Sequence, residues 1–228
     1  MISSLFDLPR PTLPIIGETV AFPVRRIYCI GRNYAAHTRE MGGDPTIEAP
    51  IFFMKPADAV TLAAGALPFP GDTMDLHHEV ELVAALGSGG RNVQPADAMD
   101  LVYGYGVGID LTKRDRQAEA KAAGQPWDRA KGFDRSAPVS EIRPISLSGP
   151  RHTGRIWLSI NGEMRQSTDL GNMIWDLPNI ISKLSAIWTL SAGDLVFTGT
   201  PEGVGRILPG DRISAGIDEV GRIELILS

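Results

Sequence analysis

The stretch LHHEVELVAALG, from Leu76 to Gly87, places Glu79 and Glu81 inside an otherwise apolar run. The run predicts a strand, and side chains two residues apart on a strand point to the same face. Two carboxylates on one face repel each other unless a cation lies between them. The spacing alone leaves two interpretations open: a solvent-exposed strand face, where glutamate is commonly found, or one side of a metal site.

Two neighbouring features bear on the kind of site this could be. His77 falls on the same face as the carboxylates, where it is either a ligand or a hydrogen-bond partner. Asp110 ends the glycine-rich run YGYGVGID and precedes a polar helical segment, so it is either a helix N-cap or a functional residue at a strand end. If Asp110 converges on Glu79 and Glu81, three oxygen ligands and no sulfur favour Mg²⁺ or Mn²⁺ over zinc.

The elements that must position these residues are mostly short apolar runs. Runs such as RIYCIG, PIFFMKP, EVELVAALG, DLVFTGTP and GRIELILS predict strands, and Asn161-Gly162 between two such runs is a hairpin signal. Three segments predict helices: YAAHTREM, capped by Asn33, TKRDRQAEAKAAG and PNIISKLSAIW. Because strands and helices do not alternate regularly, the sequence predicts a strand-dominated α+β domain and disfavours a doubly wound sheet.

Composition and charge argue against several classes of protein. The 228 residues carry a formal net charge of −5 and no basic run, which disfavours nucleic acid as a partner. The N-terminus does not resemble a secretory signal, and no apolar stretch is long enough to cross a bilayer, so we expect a cytoplasmic protein that does not bind membranes. The single Cys29 excludes an internal disulfide. Residues 1–22 are predicted to form an irregular N-terminal arm, and residues 23–228 the main domain.

Seven segments of the chain occur in an order that is informative. They are YCIGRNYAAHTREMG, IFFMKPADAV, DLHHEVELVAALG, GYGVGIDLTKRD, AKGFDRSAPVS, INGEMRQ and VFTGTPEGVG. In this order they resemble the fumarylacetoacetate hydrolase family, from about Pro23 to the end of the chain. The likeness is greatest to short single-domain members, bacterial and mitochondrial, that act on acylpyruvates and related 2-oxo acids. The resemblance implies a mixed β-roll with a few peripheral helices and a short lid helix, assembled as a homodimer.

The resemblance also implies roles for individual residues. Glu79, Glu81 and Asp110 match the family's metal ligands, so the implied cofactor is Mg²⁺ or Mn²⁺. His37 and Glu40, three residues apart on the lid helix, match a catalytic pair. The other matched positions are the active-site lysine and three residues that contact the bound oxo acid: Lys131, Arg32, Gln117 and Thr200.

Without the resemblance, the same residues have ordinary explanations. Lys131 would be a solvated loop lysine, and His37 with Glu40 an exposed ion pair. Arginine and glutamine on polar segments, such as Arg32 and Gln117, are usually solvated as well. The burial and convergence of these side chains therefore distinguish an active site from ordinary surface residues.

The implied reaction is metal-dependent hydrolysis of the C–C bond of an acylpyruvate, with fumarylpyruvate giving fumarate and pyruvate through a metal-bound enolate. Glu40, hydrogen-bonded to His37, would take a proton from the attacking water. Other reactions on the same scaffold stay open, namely oxaloacetate decarboxylation, 2-oxo acid tautomerisation, and an isomerase or hydratase step. A non-catalytic, metal-stabilised binding domain is a further alternative. The distal carboxylate of fumarylpyruvate needs a polar or cationic partner, and the candidates are Arg25, Arg26, Arg32 and Arg165.

Overall fold

The computed structural model describes residues 5–46 and 49–228. Within these ranges the strands are β1 (Thr12–Pro14), β2 (Ala21–Pro23), β3 (Arg26–Gly31), β4 (Ile51–Lys55), β5 (Val60–Leu62), β6 (Ala64–Leu67), β7 (Leu76–His78), β8 (Val80–Leu86), β9 (Val102–Ile109), β10 (Thr112–Lys113), β11 (Ala137–Val139), β12 (Arg143–Pro144), β13 (Arg155–Ile160), β14 (Glu163–Asp169), β15 (Asp194–Phe197), β16 (Gly205–Ile207), β17 (Arg212–Ile217) and β18 (Gly221–Leu227). The helices are α1 (Ala35–Glu40), α2 (Arg114–Ala123), α3 (Asp128–Lys131), α4 (Ile145–Ser148) and α5 (Leu177–Ile187). The strand-dominated α+β prediction is confirmed.

Two large sheets carry the fold. The first has the order β4-β3-β15-β8-β9-β11-β5, with β12 added beside β9, and the second has the order β14-β13-β17-β18-β6. Parallel pairs (β3 with β15, β5 with β11, β6 with β18) occur among antiparallel ones. A small sheet, β10-β7-β16, lies where the chain enters and leaves β8 and β9. This mixed arrangement with few helices is the predicted β-roll.

Strand β8 lies at the centre of the first sheet and is buried on both faces. Leu82 and Ala84 pack in one apolar layer, while Val83 and Ala85 pack in a second layer on the other face. All seven residues of β8 are buried, as expected for a central strand that is covered on both sides. The interpretation of the glutamates as part of a solvent-exposed strand face is therefore wrong.

The local signals for turns and helix ends have mixed outcomes. Asn161 and Gly162 have φ values of 52° and 84°, the conformation of a tight hairpin turn between β13 and β14. Helix α2 ends at Gly124, which is left-handed, as predicted. The expected Asn33 cap is wrong, because α1 follows Tyr34 without a side-chain cap. The Asn33 amide instead donates to the carbonyls of Trp175 and Thr198, at 2.9 and 2.8 Å.

The N-terminal segment is more regular than expected. Instead of an irregular arm over residues 1–22, β1 and β2 form a two-stranded antiparallel sheet. Leu13, Ile15 and Phe22 are buried in the second apolar layer, together with Ile27 of β3. The apolar residues between the prolines explain this packing, since their burial stabilises the segment against the main domain. None of the helices in the described ranges combines the length and apolarity needed to cross a membrane.

Candidate active site

The three predicted carboxylates meet at one end of the β8–β9 pair. Glu79 lies in the break between β7 and β8, Glu81 lies in β8 opposite Gly108, and Asp110 directly follows β9. A backbone hydrogen bond from the Asp110 amide to the Glu79 carbonyl, at 2.8 Å, fixes the junction. One oxygen from each carboxylate lies within 4.8 Å of the others, and all three residues are buried. The convergence that the family resemblance implied is therefore present in the structure.

Lys131 is buried among these carboxylates, with 3% of its surface exposed, so it is not a solvated loop lysine. Its ammonium group, at the end of the short helix α3, donates to Glu79 at 2.8 Å, to Asp110 at 2.6 Å and to the Thr112 hydroxyl at 2.6 Å. It also lies 4.9 Å from the centroid of the Phe53 ring. These contacts fix a positive charge inside the carboxylate group.

The environments of Glu79 and Glu81 shift their pKa values in opposite directions. Burial favours the neutral form of Glu79, but the charges of Lys131 and Arg114 outweigh burial and hold its pKa well below the usual value. The pKa of Glu81 is raised well above its usual value by burial and then by the charges of Asp110 and Glu79. Glu81 is thus the carboxylate whose charge is least compensated by the protein itself.

The donor set fits a divalent cation with a preference for oxygen. The Oδ1 atom of Asp110 is buried and accepts no hydrogen bond, although the Lys55 ammonium lies 2.8 Å away. That ammonium donates instead to the backbone carbonyls of Leu111 and Lys131. A buried, unsatisfied carboxylate oxygen beside the undercompensated Glu81 leaves room for a cation's charge. Three carboxylates without sulfur or imidazole suit Mg²⁺ or Mn²⁺.

The lid helix α1 brings the predicted catalytic pair to the same place. His37 is buried on the wall of the cavity that contains the carboxylates, and its Nδ1 lies 3.1 Å from a carboxylate oxygen of Glu40. Glu40 also accepts hydrogen bonds from the Gly203 amide, at 3.1 and 3.2 Å. The expectation of an exposed ion pair is therefore wrong for His37, which is buried at the cavity, while Glu40 is exposed and connects His37 to the loop after β15.

The loop after β15 also holds Glu81. The Gly199 amide donates to the Glu81 carboxylate at 2.7 Å, and Gly199 has a φ of 98°. The next residue, Thr200, lines the cavity, and its hydroxyl accepts a hydrogen bond from the Gln166 amide at 2.8 Å. The side-chain oxygen of Gln166, which is fully buried, accepts hydrogen bonds from the Val80 amide and from the His78 ring protonated at Nδ1. This loop thus connects the carboxylate group, the lid and the predicted substrate contact.

Replacing Gly199 with alanine should lower the free energy of unfolding by about 2–4 kcal/mol, from the positive φ and from overpacking. An added Cβ atom would lie 2.8 Å from the Asn33 Cβ and 3.0 Å from the Ile30 carbonyl oxygen. Urea denaturation followed by circular dichroism measures the loss.

Gly210→Ala is the matched control. Gly210 has a φ of 92°, but no atom lies within 4 Å of its added Cβ, so it reports the backbone cost alone, about 1–2 kcal/mol. Equal losses in the two variants would contradict the close packing assigned to Gly199.

The three predicted substrate contacts line one cavity together with the carboxylates, His37 and Lys131. Arg32 lies at the end of β3 with a φ of 63°, an uncommon conformation for a residue with a side chain. Gln117 is buried on α2 and accepts a hydrogen bond from Arg114 at 2.8 Å. Thr200 belongs to the loop described above. The structure therefore brings these residues together; their contact with substrate stays a prediction.

Three of the arginines considered for a distal carboxylate do not line this cavity. Arg25 forms an ion pair with Asp194 at 3.0 Å, and Arg26 donates to the Tyr28 hydroxyl at 3.3 Å. Arg165 pairs with Glu163 on the exposed hairpin, at 2.9 Å. Of the four candidates, the cavity wall includes Arg32. His77, considered as a metal ligand, lies 3.0 Å from Asp75 and is not part of the three-carboxylate group.

Sequence reasoning missed two cationic residues of the site. Arg114 donates to the Glu79 carboxylate and to the Gln117 side chain, and Lys55 lies against Asp110. Lys55 is the last residue of the apolar strand β4, which is the one local signal that could have identified it, whereas Arg114 follows the polar strand β10 and has no such signal. With Lys131 they balance the formal charge of the three carboxylates. A divalent cation would therefore leave a net positive site for an anionic ligand.

The fold and this site define a known class of enzyme. Residues 26–226 match the family described as "Fumarylacetoacetate (FAA) hydrolase C-terminal". The chain belongs to the fumarylacetoacetate hydrolase family.

Individual relatives are named for different reactions. The chain is 45% identical in sequence to the fumarylpyruvate hydrolase of Pseudomonas aeruginosa, whose crystal structure is in complex with Mn²⁺ and pyruvate. The two structures match with a TM-score of 0.97, covering 99% of each chain. It is also 45% identical over 196 residues to the mitochondrial oxaloacetate tautomerase FAHD1 of Mus musculus, covering 86% of this chain and 88% of the relative. The mitochondrial oxaloacetate decarboxylase of Dictyostelium discoideum is 41% identical, covering 85% of this chain and 88% of the relative. The chain thus belongs to a family of enzymes, and these named relatives act on fumarylpyruvate or oxaloacetate.

Proposed function

We propose that this protein hydrolyses fumarylpyruvate to fumarate and pyruvate, with Glu79, Glu81 and Asp110 holding Mg²⁺ or Mn²⁺. The observation that carries the proposal is the His37–Glu40 pair at the wall of the carboxylate cavity. Hydrolysis needs a group that accepts a proton from water, whereas loss of CO₂ from oxaloacetate does not. The similarity over nearly the whole chain to a fumarylpyruvate hydrolase that binds Mn²⁺ and pyruvate supports the same assignment.

When bound, the divalent metal would act as a Lewis acid toward the carboxylate and 2-oxo oxygens of the substrate and would offset the charge that develops there. The Lys131 ammonium, already fixed between Glu79 and Asp110, adds a second positive charge at the same place. Arg32, Gln117 and Thr200 line the rest of the cavity and supply polar contacts that orient the oxo acid.

The His37–Glu40 pair accepts the proton of a water that attacks the C4 carbonyl of fumarylpyruvate. Glu40 was expected to take this proton, but His37 is the member that lines the cavity, so we assign the base to His37 and let Glu40 hold its imidazole in place through Nδ1. The C3–C4 bond then breaks. The fumaryl portion, with the added hydroxyl on C4, is released as fumarate, and the electron pair of the broken bond passes to C3 to give the pyruvate enolate. Lys131 stabilises that enolate, and protonation at C3 gives pyruvate. One water is consumed and one C–C bond is broken.

Oxaloacetate tautomerisation is the second candidate function. It is favoured by the 45% identity to the oxaloacetate tautomerase of Mus musculus. Tautomerisation moves a proton between carbon and oxygen, so it also uses a base near the 2-oxo group, and His37 could serve both reactions. The carboxylates and Lys131 would bind the shared 2-oxo acid portion, so these residues alone do not distinguish the two activities.

A substrate panel tests the proposal. We expect kcat/KM for fumarylpyruvate to exceed that for acetylpyruvate by about 10–150-fold, because a charge-assisted hydrogen bond to the second carboxylate contributes roughly 1.5–3 kcal/mol. The assay uses purified protein with Mn²⁺ at one pH and follows loss of the enolised substrate by absorbance.

Oxaloacetate is measured in parallel for tautomerisation and for release of CO₂. Equal values of kcat/KM for fumarylpyruvate and acetylpyruvate would indicate a general acylpyruvase. Faster turnover of oxaloacetate would replace the hydrolase assignment with tautomerase or decarboxylase. A complete absence of turnover across the panel would favour a metal-stabilised binding domain.

A further inference from the structure

The side of α2 that faces the active site carries a cation with no assigned role. Arg114, Gln117 and Lys121 are spaced by three and four residues, so they lie along one face of the helix. All three line the active-site cavity. An adjoining cavity, which also borders the lid residue Glu40, shares four lining residues with it: Met41, Arg114, Gln117 and Lys121. Lys121 therefore stands where the two cavities join.

Among the described residues, Lys121 forms no ion pair with a carboxylate, unlike Arg114 and Lys131 in the same cavity. Arg114 and Lys131 are engaged by Glu79, and Lys131 also by Asp110. The Lys121 ammonium instead lies 5.3 Å from the centroid of the Trp127 ring and forms no ion pair. Its charge is thus available to a ligand.

The surroundings of Lys121 favour the entry of an anion. Its pKa is lowered by partial burial and then by the positive charges of Arg114, Arg32 and Lys131. The acidic residues of the adjoining cavity have their own partners: Glu40 is bound by His37 and Gly203, and Asp75 lies 3.0 Å from His77. The positive charges of these neighbours disfavour the charged form of Lys121, and an anionic group bound at its ammonium would offset them.

We propose that Lys121 binds the distal carboxylate of the substrate and so selects long 2-oxo dicarboxylates over shorter or monocarboxylic ones. This inference deepens the proposed function and rests on it for the natural substrate. At about 1.5 Å per residue, Lys121 lies about 10 Å along α2 from Arg114, which contacts Glu79. The two carboxylates of a seven-carbon oxo acid, separated by bonds of about 1.5 Å, lie about 8 Å apart when extended. A lysine side chain closes the remaining distance.

The test is a binding measurement that does not depend on turnover. 2-Oxoheptanedioate has the length and both carboxylates of fumarylpyruvate, but it lacks the C4 carbonyl and is not cleaved. 2-Oxoheptanoate is the same molecule without the distal carboxylate. Calorimetry with Mn²⁺-loaded protein should show a preference of at least about 10-fold for the dicarboxylate, as expected for one charge-assisted contact.

Lys121→Met should abolish that preference while leaving the affinity for 2-oxoheptanoate within about twofold, because methionine keeps the apolar stem and removes the charge. Lys121→Arg should retain most of the preference. Lys183→Met is the matched control: Lys183 is also exposed and lies 4.5 Å from the centroid of a tryptophan ring, that of Trp175, but it does not line the active-site cavity. This control should behave like the unmodified protein.

The outcomes separate this inference from the proposed reaction. An unmodified protein that binds both acids equally, or a Lys121→Met variant that keeps the preference, would overturn the role of Lys121. Equal weakening of both acids would show that Lys121 acts on the oxo-acid portion and would also overturn it. Turnover of fumarylpyruvate is measured separately, so loss of the hydrolase assignment leaves the binding result intact.

Discussion

EDTA treatment is expected to reduce turnover of fumarylpyruvate by at least about 10³-fold, and Mg²⁺ or Mn²⁺ should restore it, since charge stabilisation by a metal contributes several kcal/mol. The protein should stay folded without metal. Lys131, Lys55 and Arg114 already balance much of the carboxylate charge, and the raised pKa of Glu81 allows that group to take up a proton. Circular dichroism and a thermal scan check the fold, and added metal should raise the melting temperature.

Glu81→Gln tests the same site by mutation. The amide keeps the shape of Glu81 and can still accept the hydrogen bond from Gly199, but it removes the charge that a cation needs. We expect Mn²⁺ affinity, measured by calorimetry, to fall by at least about 100-fold, and activity to fall with it. Glu163→Ala, on the exposed hairpin, is the control and should change neither. Full activity in metal-free protein would refute the metal-dependent mechanism.

The second large effect is expected at the lid. His37→Ala and Glu40→Gln should each lower kcat by about 10²–10⁴-fold, the range for loss of a general acid or base. Initial-rate assays at saturating fumarylpyruvate measure this loss of kcat, and urea denaturation should show little change in the free energy of unfolding. Glu40→Gln is informative because its amide oxygen can still accept the hydrogen bond from Gly203 while the negative charge beside His37 is lost.

Arg39→Ala supplies the control for the lid substitutions. Arg39 lies on the same short helix and is exposed, so its replacement perturbs the helix without touching the cavity. A normal kcat in either the His37 or the Glu40 variant would exclude water activation by this pair. Equal losses in all three variants would point to disruption of α1 instead of loss of a base.

Local patterns explain how much of the site could be predicted. Glu79 and Glu81 are two residues apart at the start of β8, and Asp110 directly follows β9, the strand that pairs with β8. The family resemblance supplied His37, Glu40 and Lys131, and the structure places all of these side chains around one cavity or in direct contact with its wall. These residues could be predicted because short sequence motifs contain them.

Residues whose roles depend on distant partners were not predicted. Asn33 has the sequence position of a helix cap, but its side-chain amide donates hydrogen bonds to the carbonyls of Trp175 and Thr198, which are far away in sequence. Arg114 and Lys55 compensate carboxylates of other segments, and no local pattern records that pairing. The burial of β8 on both faces depends on which strands and helices cover the sheet. Such facts follow from tertiary packing, which overrides local propensity.

The parallel pairing of β3 with β15 has a consequence for how the protein acquires its activity during synthesis. Arg26 pairs with Asp194, so the segment that leads into the lid must wait for a strand near the other end of the chain. Gly199 and Gly203, which hold Glu81 and Glu40, emerge later still. Pairing of such distant segments carries a large loop-closure entropy and slows folding. The active site therefore cannot assemble until the chain has been synthesised through Gly203.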